Sequence, residues 1–181
     1  ILMSQQPDRP ETLTAAKAAS GELLHRFTAL ITQRRADPTD DLVSALMHAE
    51  VDGQRPTTEE LGSFFILLVV AGNETTRNAI SHGMKALTDH PAERSKLMDD
   101  FERVIPTAVE EIVRWASPVI HFRRTAARDT EVAGQAIREG DKVTIWYNSA
   151  NRDETVFHQP HTFDVRREPN EHVGLGAGGP H

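Results

Sequence analysis

The sequence predicts a mainly α-helical fold with a small antiparallel β part. Three observations carry that expectation. Apolar residues recur at helical spacing as far as Trp115, prolines and capping residues punctuate them, and after Pro118 the pattern turns to short β-rich runs separated by glycines. The helical part is expected over 14–117, the β part over 119–147 and a long coil over 148–181, all within one domain spanning 1–181.

The first helix is read between Thr14 and Arg35, where Leu23, Leu24, Phe27, Leu30 and Ile31 follow the i, i+3, i+4, i+7 pattern and Asp37-Pro38 closes the segment. A second helix covers Leu42 to Glu50, with Asp40 or Asp41 as its cap and Asp52-Gly53 as its end. Thr57 and Glu60 stand at capping-box spacing, and no proline interrupts the chain from there to Pro91. That predicts a helix of nearly 30 residues, apolar nearly all round in its middle and so buried on every side. Pro91 and Pro106 read as helix starts, giving short helices over Ala92 to Asp100 and Thr107 to Trp115. Val119 to Ala126, Thr130 to Val132 and Lys142 to Tyr147 are the expected strands, with Gly134 and Gly140 between them. From Asn148 the chain reads as irregular coil ending in a glycine-rich run, and a coil of that length usually serves a site.

Composition narrows the function. The 181 residues carry 20 basic against 27 acidic side chains, a net charge of −7, which argues against a nucleic-acid partner. The longest apolar run, Phe64 to Ala71, is eight residues, far below the roughly 18 to 20 needed to cross a bilayer. The opening residues lack the charged and apolar regions of a signal peptide, so a cytoplasmic protein is expected. Ile1 at the start and Gly178-Gly179-Pro180-His181 at the end read as cuts, so a fragment is expected. The chain contains no cysteine, which excludes disulfides and thiol chemistry within it. His158 and His161 lie three apart, but Pro160 between them opposes a helix that would align them on a metal and no third ligand is evident, so no metal site is expected within the chain.

Three features could carry chemistry. Ala71-Gly72-Asn73-Glu74-Thr75-Thr76 places a glycine, a carboxylate and two hydroxyls in the middle of the most apolar helix, where Glu74 and Thr75 make an acid and alcohol pair suited to moving protons. Gly72 leaves room for a group to lie against the backbone; the bland alternative is a paired glutamate and a packed threonine. Glu111-Ile112-Val113-Arg114 puts a carboxylate and a guanidinium on one helix face, a spacing that by itself means little when exposed. Gly174, Gly176 and Gly179 match G-x-G-x-x-G, but the segment before them is polar coil with no strand and no helix follows, so the dinucleotide reading fails.

Taken in this order, the features resemble the C-terminal half of a cytochrome P450, a haem-thiolate monooxygenase of the soluble bacterial kind, from about Leu13 to His181. Ala71 to Thr76 resembles the family's oxygen-activation motif, Glu111 and Arg114 its E-x-x-R pair, and Asn151-Arg152-Asp153 with Phe157, Pro160 and Phe163 the coil that follows. Residues Ala71 to Ala79 and His172-Val173-Gly174 look most like members that oxidise methyl-branched lipids or steroid side chains.

The resemblance implies a cytochrome P450 fold, here incomplete, and a haem (haem b) cofactor in the complete protein. It implies that one oxygen atom from dioxygen enters an apolar small-molecule substrate, with electrons from a ferredoxin-type donor and an NAD(P)H-dependent reductase. Glu74 and Thr75 would then supply protons during dioxygen activation, with Gly72 leaving space over the haem. Glu111 and Arg114 would lock the haem-side core, joined by Arg167 or a neighbouring arginine. Arg124 and His181 match positions that bind haem propionates, and Val69, Ala71, Val119 and Ile120 match pocket-lining positions. Leu175 stands where the family more usually has an aromatic, and the family's iron-binding cysteine falls two positions after His181. The rival reading is a truncated, non-catalytic helical remnant, or a module that binds an apolar ligand or partner without haem.

Overall fold

A computed structural model describes residues 10–50 and 52–176. The chain divides into two compact units, residues 1–74 and 75–181.

In the first unit, helix α1 runs from Pro10 to Ala36 and α2 from Leu42 to His48. Of the two aspartates that could cap α2, Asp41 does so: its carboxylate accepts the Ser44 amide at 2.8 Å and the Arg34 Nε–H at 2.5 Å. These bonds, the Arg34 one foremost, hold its pKa well below the usual carboxylate range. The helix ends at His48 rather than Glu50, because Ala49 is already extended. Asp52 and Gly53 then turn the chain with positive φ of 52° and 76°.

Helix α3, Thr58–Asp89, is 32 residues long and contributes to both units. Its start is a capping box: Glu60 accepts the Thr57 amide at 2.8 Å and the Thr57 hydroxyl accepts the Glu60 amide at 3.2 Å. The core of the first unit is Ile31, Val43, Leu61 and Phe65, with the Phe27 ring stacked on Phe65 at 5.0 Å. Each such side chain contributes about 1.5–3 kcal/mol by leaving water. The expectation that the middle of α3 is buried on every side is not met, since Leu67 and Val70 are 60 % and 58 % exposed. An apolar sequence makes burial favourable, but burial needs a covering element, and the described chain lays none over these residues.

The second unit begins at Thr75 of α3 and continues through α4, Pro91–Asp99, and α5, Phe101–Ala116. Pro91 opens α4 as read from the sequence. Pro106 does not open a helix: α5 starts at Phe101 and carries Pro106 in its second turn. The loss there is one backbone bond, to the Glu102 carbonyl. The buried face of Val104, Ala108, Glu111 and Arg114 outweighs it. The break between the helices falls at Asp100, whose φ of −148° and ψ of 59° are not helical. Ser117, in the left-handed region at φ 40°, ends α5 and donates its amide to the Val113 carbonyl at 2.9 Å.

Two separate two-stranded ribbons follow, rather than one sheet of three strands. Strand β1, His121–Thr125, pairs antiparallel with β4, Lys142–Trp146; β2, Thr130–Val132, pairs with β3, Gln135–Ile137, across a turn at Ala133-Gly134. One helical turn, α6, Tyr147–Ala150, interrupts what the sequence reads as coil, and the rest to Gly176 is irregular. The core of this unit joins Ala86 of α3, Leu97 of α4, and Val104 and Ala108 of α5 to Phe163 and Val165 of the irregular segment. Glu93 and Thr107 fasten that segment from two helices: Glu93 accepts the Val165 amide at 3.2 Å and the Thr107 hydroxyl donates to the Val165 carbonyl at 2.8 Å.

Candidate functional site

The irregular segment 151–170 has few backbone partners of its own, and helix α5 supplies them. Arg114 and Glu111 are both fully buried. The guanidinium donates Nε–H and Nη2–H to the two carboxylate oxygens at 2.7 and 2.8 Å, a bidentate pair. Its remaining hydrogens go to the carbonyls of Asn151 (2.8 Å), Pro160 (2.9 Å) and Thr162 (3.2 Å), so all five donors are used. Glu111 accepts in addition the Arg167 Nε–H at 3.0 Å and the Asp164 amide at 2.9 Å. Arg167 in turn donates to the carbonyls of His158, Gln159 and Thr162. Two guanidiniums thus hold five different carbonyls around one carboxylate. Burying such charges is costly, and full satisfaction of their hydrogen bonds is what makes it tolerable.

A second buried polar chain runs alongside. Asn151, fully buried, donates its amide to the Ser117 hydroxyl at 2.9 Å and accepts the Val173 amide at 2.8 Å. Arg152 lies 5.3 Å over the Trp115 ring and donates to the Trp115 carbonyl at 3.0 Å. Burial, reinforced by the Arg114 charge, lowers its pKa below the ordinary arginine value. Val173 leads into Gly174, whose backbone sits directly on α5: a Cβ there would lie 2.8 Å from Val113 Cγ1 and 2.9 Å from the Val113 carbonyl oxygen.

Within this second unit an apolar cavity of about 380 Å³ opens between α3, α5 and the start of the glycine-rich run. Thr75 and Thr76 bring the hydroxyls; Ile80, Met84, Ile112 and Leu175 are among its apolar walls. Thr75 and Leu175 are a hundred positions apart in the chain and meet on this one space.

The remaining residues singled out from the sequence are placed as follows. Gly72 lies on α3 with nothing within 4 Å of a Cβ built on it, and Glu74 is half-buried on the same helix. Arg124 is exposed on β1, its guanidinium 5.1 Å from the Phe122 ring centre. Val69 and Ala71 are exposed on α3, Val119 is half-buried and Ile120 exposed between α5 and β1, and none of the four lines the apolar cavity. His181 lies outside the described residues. Sequence reasoning missed Asn151 as the link between Ser117 and Val173, and His172, whose Nε2 is 2.8 Å from the Glu110 carboxylate. His172 enters the sequence reading only within the stretch His172-Val173-Gly174, with no role of its own.

For a haem, the apolar walls of the cavity suit a flat macrocycle, and Arg124 on β1 is a cation of the right sign for carboxylates. The chain itself contains no cysteine, so a thiolate for the iron is not among its residues.

The sequence matches the profile of the family described as Cytochrome P450 over residues 11–173. The methyl-branched lipid omega-hydroxylase of Mycobacterium tuberculosis is 52 % identical over 181 residues, covering 100 % of this chain and 42 % of that protein. The steroid C26-monooxygenase of Rhodococcus jostii is 47 % identical over 174 residues, covering 96 % of this chain and 36 % of that protein. Among solved structures, Mycobacterium marinum cytochrome P450 CYP268A2 in complex with pseudoionone superposes with a TM-score of 0.84 at 49 % identity, over 99 % of this chain and 43 % of that one. CYP109E1 from Bacillus megaterium in complex with corticosterone gives 0.88 at 35 % identity, over 93 % and 45 %. The chain therefore spans less than half the length of these relatives.

Proposed function

Because this chain belongs to the cytochrome P450 family, we propose that it is part of a haem-dependent monooxygenase acting on an apolar lipid or steroid. One oxygen atom of dioxygen enters a C–H bond as a hydroxyl, and the other leaves as water with two protons and two electrons. The relatives named for methyl-branched lipids and steroids support that substrate class. The electron source that suits a protein of this kind is a ferredoxin-type donor with an NAD(P)H-dependent reductase. Residues 1–181 are read as one stretch of a single catalytic domain.

The observation that carries this reading is the meeting of Thr75 and Leu175 on one apolar cavity. The family reading gives Thr75 a part in dioxygen activation and puts Leu175 eight positions before the iron-binding cysteine, so both would border the haem. When bound, the haem supplies the dioxygen and electron-transfer chemistry. The protein's own share is binding, orientation and protons. Glu74, half-buried and with access to solvent, takes up a proton, and the Thr75 hydroxyl passes it into the apolar space. Gly72 leaves the α3 backbone uncovered for close approach. Arg124 and His181 would hold the propionates, and Glu111 with Arg114 and Arg167 fixes the segment that leads to the glycine run. Val69, Ala71, Val119 and Ile120 offer apolar surface to the substrate.

The test is the absorption spectrum of the complete gene product, expressed with haem available, after reduction and addition of carbon monoxide. The red-shifted Soret band of thiolate-ligated iron is expected. Its absence from well-folded protein would overturn the monooxygenase reading in favour of a haem-free helical module.

A further inference from the structure

His172 stands outside every role assigned above, yet it is among the most specifically bonded side chains of the second unit. Its side chain is 10 % exposed, and both ring nitrogens are engaged. Nδ1 lies 3.2 Å from the Gly174 amide, and Nε2 lies 2.8 Å from Oε2 of Glu110 on α5. An amide can only donate, so the network assigns the bare lone pair to Nδ1 and the hydrogen to Nε2, which donates to Glu110. The imidazole therefore bridges an α5 carboxylate to the backbone of the glycine-rich run. Around it, Asn151 takes the Val173 amide at 2.8 Å, and the Gly176 amide closes back on the Val173 carbonyl at 2.9 Å. The result is a four-residue turn, Val173 to Gly176, with Leu175 at its tip lining the apolar cavity.

We infer that His172 is a positioning residue: it latches the Val173–Gly176 turn to α5 and thereby sets how Leu175 meets the haem. The latch rests on the geometry alone, whereas its effect on the haem rests on the monooxygenase reading. The latch acts through Gly174, whose seat against the Val113 carbonyl leaves no slack for a shifted turn. Loss of the Nδ1 acceptor frees the Gly174 amide, and the tip carrying Leu175 loses its fixed aim.

The two halves are separable by experiment on the complete gene product. Amide hydrogen exchange at Gly174 and Gly176 reads the latch without reference to haem. His172→Leu is expected to speed exchange there about tenfold, the equivalent of one hydrogen bond. His172→Asn keeps a short side-chain acceptor for the Gly174 amide and is expected to restore slow exchange. Equal exchange in wild type, Leu and Asn variants would overturn the latch, and equal acceleration in both variants would overturn the assignment to Nδ1. The second readout is the reduced carbon-monoxide spectrum: the Leu variant is expected to lose part of the thiolate-type band or shift it, and the Asn variant to retain it. Faster exchange with an unaltered band would overturn the effect on the haem while leaving the latch and the family reading standing. A wild-type protein without any such band would overturn the haem half together with the monooxygenase reading, and the exchange rates would still decide the latch.

Discussion

Glu111 and Arg114 grip each other through two parallel hydrogen bonds, 2.7 and 2.8 Å long, in a place where neither side chain has any solvent exposure. An isolated buried pair can often be replaced by two apolar residues at little cost. This one cannot, because Arg114 also holds three carbonyls of the irregular segment. Glu111→Gln is expected to cost about 3–5 kcal/mol in urea unfolding of the complete gene product. The double variant Glu111→Leu, Arg114→Leu should be no more stable than either single one. A double variant close to wild type would show that the carbonyls find other partners.

Acid should expose the Asp41 cap. Its folded pKa is depressed below the unfolded value, so its contribution is complete above about pH 4 and is lost as pH falls towards the lower folded value. Asn also caps helices well but forms no ion pair with Arg34. The stability gap between wild type and Asp41→Asn should therefore be steady at neutral pH and narrow below pH 4 in urea titrations. A gap that widened on acidification would contradict the depressed pKa.

Two glycines that look alike in the sequence should answer oppositely to alanine. A Cβ at Gly62 would meet only Leu24 Cδ1, at 2.6 Å, the mobile end of a flexible side chain. Alanine gains about 1 kcal/mol of helix propensity there, so Gly62→Ala is expected to be neutral or slightly stabilising. At Gly174 the obstacle is the Val113 carbonyl oxygen at 2.9 Å, which belongs to a helix and cannot yield. Gly174→Ala should cost about 2 kcal/mol or more, measured by thermal or urea unfolding. Similar effects at the two sites would count against the close seat of Gly174.

The role given to Thr75 is measurable as coupling. With a methyl-branched fatty acid as the probe, Thr75→Ala should lower product by about 10²-fold while NAD(P)H consumption continues and hydrogen peroxide accumulates. Thr76→Ala, which alters the same cavity without touching the acid and alcohol pair, should keep product and consumption in step. Unchanged coupling in Thr75→Ala would remove the proton role.

The features legible in the sequence are those whose physics is local. The Thr57 and Glu60 box, the Asp41 cap and Pro91 at the head of α4 each depend on residues three or four apart, and each forms as its spacing predicts. Pro106 misleads for the opposite reason. The packing of Val104 and Ala108 against Phe163 and Val165, far along the chain, carries α5 through it. Strand β3 escapes notice because Gln135-Ala136-Ile137 is three residues long and gains its identity only by pairing with β2. At the candidate site, the spacing of Glu111 and Arg114 declares a shared face, but their burial is decided by partners 37 to 56 positions away. The bond between Glu110 and His172 spans 62 positions and has no local signature at all.

The irregular segment that the two guanidiniums hold has a further property. A strand or helix can fray one rung at a time, because each bond leaves its neighbours in place. Residues 151–167 lack such a ladder: five of their carbonyls converge on Arg114 and Arg167, and those on Glu111. When that hub opens, five carbonyls lose their partners at once, and the span is left on its ties at Asn151 and Val165. The segment is therefore expected to loosen cooperatively rather than residue by residue, although it contains no regular secondary structure.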